Sequence, residues 1–213
     1  MARTSIKTVA AAVALALTGA AQASLPTPID LQLDCISNSS CSSFESGLDV
    51  SVSTLSNQIS FSFSTTLSSG VITGIYFSDS NLLNFGSLSL VQSAGVSFGA
   101  NGNPGALPGE KSISDFSTSF SLNALPSPIK NGIASGESLT ASFAFNSGVS
   151  SNDVLSALSS GSLRVGMHVQ SLPGGSSASF ASIAAPVPEP ETYAMLLAGL
   201  GLIGTIAARR KQA

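Results

Sequence analysis

Apolar and small polar residues alternate with a period of two through much of the chain, the pattern of strands with one buried face and one wet face. Val50-Ser-Val52-Ser-Thr-Leu and Ile59-Ser-Phe61-Ser-Phe63-Ser show it most clearly, and Ser56-Asn57-Gln58 between them predicts a hairpin. Further strands are expected around 71–77, 82–90, 113–122, 139–145, 163–170 and 178–183. Turn chemistry separates them at Asn101-Gly-Asn-Pro-Gly105, Leu107-Pro-Gly109, Pro126-Ser-Pro128, Asn131-Gly132 and Pro173-Gly-Gly175. One short helix is expected over 152–160, with Asn152 as its cap. Many short strands, frequent turns and little helix predict an all-β domain over 24–185, an antiparallel β-sandwich of jelly-roll-like type. Phe61, Phe63, Phe77, Phe116, Phe120, Phe143 and Phe145 fall on the apolar positions and are the expected core. No repeat of 20 to 50 residues is visible, which argues against a solenoid or propeller.

The two ends break the alternation. Residues 1–23 read as a secretory signal peptide: Arg3 and Lys7 are the positive start, Val9 to Leu17 the apolar run, and Ala21-Gln22-Ala23 the cleavage box, so that Ser24 begins the mature chain. At the other end three parts follow in order: Val187-Pro188-Glu189-Pro190, an uncharged run over 192–208, and Arg209-Arg210-Lys211. A helix over that run is about 25 Å long, near the short limit for a bilayer, and the basic cluster holds its end in the cytoplasm as a stop-transfer signal. Two prolines around one glutamate keep the preceding segment extended and open to a protease.

This tail, over 187–213, resembles the PEP-CTERM sorting signal of Gram-negative bacteria. The resemblance rests on Pro188-Glu189-Pro190, the glycine-bearing span from Ala194 to Gly204, and the Arg209-Arg210-Lys211 stop. It implies recognition by an exosortase, a membrane cysteine protease-transpeptidase that cuts near the motif and releases or transfers the protein to the outside. It also implies transient membrane anchoring, and association with exopolysaccharide and biofilm loci. The run from Leu163 to Phe180 is similar to a hairpin of small PEP-CTERM surface proteins, to which no catalytic role attaches.

Composition narrows the classes further. The chain has 213 residues, 43% hydrophobic and only 9% charged. It is too apolar for disorder, yet its middle holds no run near the ~18 apolar residues of a membrane helix, which excludes a multi-pass transporter. Between the two ends lie three basic residues, Lys111, Lys130 and Arg164, against nine acidic ones, a net charge of −6. That excludes nucleic acid as a partner. Cys35 and Cys41 are the only cysteines, and in an exported chain they are expected to form a disulfide across a short loop. With one distant histidine and no second cysteine pair, no metal or other cofactor is expected.

Several residues imitate catalytic patterns. Gly95-Val-Ser97-Phe-Gly99 matches a nucleophile elbow, and Asp115, Glu137 or Asp153 followed by His168 gives a hydrolase chain order. An elbow needs a strand before the serine and a helix after it, and a turn sequence follows here. Ser127-Pro-Ile-Lys130 imitates a Ser-x-x-Lys dyad, but Pro126 and Pro128 argue against the helix it needs. His168, with Arg164 and Gln170, is expected on the solvated face of a strand. Asp79-Ser-Asn81 and Asp30 to Asp34 lack a complete Ca²⁺ loop. The expected function is a non-enzymatic, exosortase-processed protein of the cell surface or extracellular matrix, serving adhesion or biofilm structure. The alternatives are a carbohydrate-binding module, for which the 24–185 domain offers no Trp and only Tyr76, and a membrane-tethered serine hydrolase using Ser97.

Overall fold

The Val50 and Ile59 segments form the predicted hairpin. In the computed structural model, which describes residues 28–184 other than 38, 102 and 103, β3 (Leu48–Leu55) and β4 (Gln58–Thr65) pair antiparallel from Leu48↔Thr65 to Leu55↔Gln58. Ser56 takes the positive φ (53°) that the two-residue turn requires. Because the period is two, Val50, Val52, Ile59, Phe61 and Phe63 all point inward and are buried, while Ser51, Ser53, Ser60 and Ser62 point outward.

Among the described residues the chain forms two antiparallel sheets. The remaining strands are β1 (Ile29–Asp30), β2 (Leu33–Cys35), β5 (Val71–Ser78), β6 (Leu83–Gln92), β7 (Phe98–Ala100), β8 (Phe120–Ala124), β9 (Ser138–Phe145), β10 (Arg164–Leu172) and β11 (Ser176–Ser182). The first sheet has the order β1-β3-β4-β9-β6 and the second β2-β11-β10-β5-β8-β7. Their inner faces share one core. Phe77 of the second sheet meets Phe61 and Phe143 of the first edge-on, with ring centroids 5.2 Å apart in both cases, and Phe63 at 6.4 Å.

Among the described residues, seven of the ten connections between successive strands pass from one sheet to the other. β3–β4, β7–β8 and β10–β11 are neighbours within one sheet. Link length does not decide which connections cross: the two residues Leu31-Gln32 carry the chain from β1 to β2 in the other sheet, whereas the much longer link after β7 returns to its neighbour β8. The link from β9 to β10 is helix α2 (Ser151–Ser160), which buries Val154, Ala157 and Leu158. Its cap is Ser150 rather than Asn152. Ser150 Oγ accepts from Asp153 N at 3.3 Å, and the Asp153 carboxylate accepts from Ser150 N at 2.8 Å, a capping box that outcompetes the later asparagine. Ser150 Oγ also donates to the Asp153 carboxylate at 2.6 Å, and this bond, with the one from Ser150 N, pulls the exposed carboxyl below its usual range. A second, one-turn helix, α1 (Pro128–Asn131), forms in the link from β8 to β9, where prolines had argued against one: Pro128 stands at its first position, where the missing N–H is harmless.

The expected strand over 113–122 is shortened to β8, and residues 113–119 belong to a strap lying on the outer face of the second sheet. Asp115 adopts a left-handed backbone (φ 65°) that ends any strand there. Phe116 accordingly leaves the main core. It joins Ile36, Tyr76, Leu107 and Ala181 in a small cluster on the opposite side of that sheet.

Cys35 and Cys41 are joined, with Cα atoms 5.7 Å apart. The bridge ties the 3-10 segment Ser39–Gly47 to β2, where Cys35 N donates to Glu45 Oε1 at 2.8 Å. Cys41 is only 3% exposed and packs in the main core. Losing the bridge therefore removes core contacts as well as the ~2 kcal/mol of loop-closure entropy for so short a loop.

Two outcomes follow for stability. Phe77→Ala should lower the unfolding free energy by about 3–5 kcal/mol, read as a shifted denaturant midpoint with unchanged slope. A loss under about 1 kcal/mol would mean that this ring is not central. Cys41→Ser should lower the melting temperature more than reduction of the bridge alone does, because it also places a polar group in the core.

Candidate functional site

The outer face of the second sheet gathers most of the body's candidate chemistry, because outward positions of β10 carry Arg164, Gly166, His168 and Gln170 while Val165, Met167 and Val169 fill the core. This face is not simply solvated. The strap, over 104–119, lies on it and ends at Ser119, whose N–H donates to Phe77 O at 2.8 Å. Leu107 and Phe116 press onto Gly166: a Cβ there would stand 2.4 Å from Leu107 Cδ2 and 3.1 Å from Phe116 Cζ. The Tyr76 ring similarly lies over Gly74, where a Cβ would meet the phenol oxygen at 2.8 Å.

Polar groups hold the strap in shape. Glu110 Oε2 accepts from Leu107 N at 3.1 Å and from Thr118 Oγ1 at 2.6 Å, and Thr118 Oγ1 also receives Leu107 N. Arg164 pins the strap to the sheet: Nε donates to Ser182 O at 2.8 Å, Nη1 donates to Ser114 O at 3.2 Å, and the guanidinium stands 5.7 Å from the centre of the Phe116 ring. Burial pulls the Arg164 pKa down, and Asp115 and Asp34 oppose that shift. A shallow cleft of about 200 Å³, lined by Ser114, Asp115, Ser160, Arg164 and Ala184 among others, opens beside this clasp.

His168 is half-buried rather than solvated, since it stands between β5 and β11. Its Nδ1 lies 3.0 Å from Ser179 Oγ, and Ser179 N in turn donates to Ser37 Oγ at 2.7 Å. Burial lowers the imidazole pKa below its ordinary value. Tyr76 is only 8% exposed, and burial raises its pKa.

The structure does not bring Ser97 and His168 together. Ser97 lies just before β7, and β5 and β8 stand between β7 and β10, three strand spacings or about 14 Å. A tight turn precedes Ser97, where Val96 N donates to Ser93 O at 3.1 Å, and a strand follows it, the reverse of an elbow. Ser97 N donates to Asn131 O and its carbonyl accepts from Leu125 N, so its backbone ties the two flanking links. Ser127 caps α1 and Lys130 lies on it, both exposed. The Asp79 carboxylate accepts from the N–H groups of Leu82 and Leu83 and closes a turn. Among the described residues no cluster of three or more His, Cys, Asp or Glu is placed to hold a metal ion.

The strap was not foreseen in the sequence, although it left a trace there. Glycine at an outward position of a central strand, Gly166, marks a place where another segment approaches closely.

The expected processing sites lie outside the described residues: Ala21, Ala23 and Ser24 at the leader, Pro188-Glu189-Pro190, the apolar run over 192–208, and Arg209-Arg210-Lys211. No helix among the described residues is long and apolar enough to cross a membrane. What the structure does place is the point from which both ends depart. β2 and β11 are antiparallel neighbours, with Leu33 opposite Ser182 and Ile183 N donating to Gln32 O at 3.0 Å. The chain therefore enters and leaves the body at the same end.

Residues 186–211 match the PEP-CTERM protein-sorting motif. No curated protein and no solved structure matches the chain. The motif implies export, processing by a membrane-resident exosortase, and transient membrane anchoring before surface display.

The buried His168 sets a pH dependence. Its folded pKa is below the unfolded value of about 6.5, so the unfolded chain binds the extra proton first as pH falls. The neutral form's contribution is complete above about pH 6.5 and is lost as pH drops toward the folded pKa. His168→Gln should flatten that part of the stability curve; an unchanged slope between pH 5 and 7 would show that His168 does not couple to folding. Separately, a fluorophosphonate probe should leave Ser97 unlabelled, and stoichiometric labelling abolished by His168→Ala would establish a hydrolase.

Proposed function

We propose that this chain, which carries a PEP-CTERM protein-sorting motif, is a non-enzymatic protein of the cell surface or extracellular polysaccharide matrix of a Gram-negative bacterium, serving adhesion or biofilm structure. The single observation that carries the reading is the sorting motif itself, with its three parts in order ahead of the chain's last residues. The leader sequence at the other end supports the same route. So does the disulfide, which suits an oxidising compartment.

The body adds support of a different kind. Its outward strand positions are mostly hydroxyls, as in the Ser60–Ser142 and Ser62–Thr140 pairs at 2.8 and 2.9 Å, which keep a sheet wet with little charge. The separation of Ser97 from His168 weighs against the hydrolase reading. The burial of Tyr76 under the strap weighs against a carbohydrate-binding module built on aromatic stacking, because that ring has no open face to offer a sugar.

Entry and exit of the chain at one end of the body fit this route. Ala184 is four residues from Pro188, at most about 14 Å of extended chain, so the processing enzyme works close against the folded domain. Replacing Pro188, Glu189 and Pro190 together by alanine should leave a membrane-retained form that still carries its tail, visible as a heavier species in the membrane fraction. If mass spectrometry instead finds the same mature C-terminus in the variant and the wild type, the exosortase reading fails.

A further inference from the structure

The exposed edges of the two sheets are very unequal. β1, β2 and β7 are edges of two or three residues, and β2 is fastened by the disulfide segment. β6 is an edge of ten residues, Leu83–Gln92, with no lysine, proline or acidic residue in it. Those are the residues that ordinarily keep an edge from pairing with another chain. Its first half is irregular, since the register against β9 shifts between Asn84 and Ser89, and a bulge of this kind blocks further pairing there. From Ser89 to Gln92 the strand is regular: Ser89, Leu90, Val91 and Gln92 face Ser142, Ala141, Thr140 and Leu139 in turn.

The direction of the free groups follows from one bond. Ser93 N donates to Ser138 O at 3.0 Å, so by alternation Val91 and Ser89 also bond toward β9, and Leu90 and Gln92 turn their N–H and C=O outward. On the core side of this edge, Leu88 and Leu90 are only partly buried against the main core. On the other side Val91 is 69% exposed, among the hydroxyls of Ser89 and Thr140.

We infer that β6 is a self-association edge, at which a second copy of this chain pairs its own β6 antiparallel, centred on Leu90, to continue the five-stranded sheet across the two-fold axis. Outward backbone donors and acceptors in a regular strand are matched by another strand, and three features select the same strand of a second copy. The segment is uncharged, so two copies meet without repulsion despite the net negative charge of the body. A two-fold axis through Leu90 sets its free N–H and C=O against their own equivalents and puts Ser89 of each copy opposite Val91 of the other. The half-buried Leu90 then meets its counterpart, and Leu88 stands opposite Gln92 of the other copy, which extends the core instead of leaving it open at its side. The inference does not depend on the export reading.

The test is made on the full chain in detergent. Wild type should sediment as a dimer. Val91→Lys, at an exposed position that leaves folding unaffected, should shift it to monomer with an unchanged melting temperature. A monomeric wild type, or a dimer that survives Val91→Lys, overturns the proposal. Register is tested by cysteine pairs. Ser89→Cys combined with Val91→Cys should form disulfides between copies, because directly opposed positions stand about 4.5 Å apart across a non-hydrogen-bonded pair, whereas Val91→Cys alone should not, its copies being about 8 Å apart along the diagonal. Equal cross-linking by the single and double variants overturns the register, and with it the two-fold pairing.

Discussion

The ring of Phe77 is the point on which both sheets depend. It lies within 5.2 to 6.5 Å of Phe61, Phe63, Phe85, Phe120 and Phe143, most of them met edge-on, so that one side chain of the second sheet orients the inner face of the first. Its strand can play this part because β5 lies inside its sheet, flanked by β10 and β8 and covered on both faces. That explains why Val71-Ile-Thr-Gly-Ile-Tyr-Phe77 is a nearly continuous apolar run where its neighbours alternate.

With so few charges, the domain handles its polar groups through hydroxyls and turns. Outward hydroxyls of β4 and β9 bond to one another, Ser60 to Ser142 and Ser62 to Thr140, and among the described residues no buried side-chain nitrogen or oxygen lacks a partner. The few carboxylates are engaged in local architecture: Asp79 closes a turn, Glu110 shapes the strap, Glu137 accepts from Ala134 N, and Asp153 caps α2. A surface so composed carries little electrostatic protection against association, which is why the length and regularity of β6 matter more here than in a highly charged protein.

The strap shows how a polar loop becomes part of the interior. Its apolar residues, Leu107, Ile113 and Phe116, are too few for a core of their own, and the second sheet receives Leu107 and Phe116 where Gly166 leaves room. Arg164 then serves as a clasp, bonding to the end of β11 and to the strap at once. The same covering layer buries Tyr76, so the residue that composition singled out for sugar stacking is in fact a packing residue.

The sequence by itself determined what acts over a few residues. Period-two alternation settled the β3–β4 hairpin and the inward set of Phe61, Phe63 and Phe143; the placing of Pro-Glu-Pro, apolar run and basic stop marked the sorting tail; and two close cysteines announced their bridge. Each signal is local, or lies along one strand. Tertiary structure decided where segments distant in the chain meet: that 113–119 folds over a sheet instead of joining it, that Phe116 changes cores, that His168 is half-buried against Ser179, and that Ser97 stands three strands from it. The physical reason is that an alternating pattern says which face of a strand is apolar, while strand order and the covering of the other face are set by pairing and packing between residues as far apart as Gly166 and Leu107.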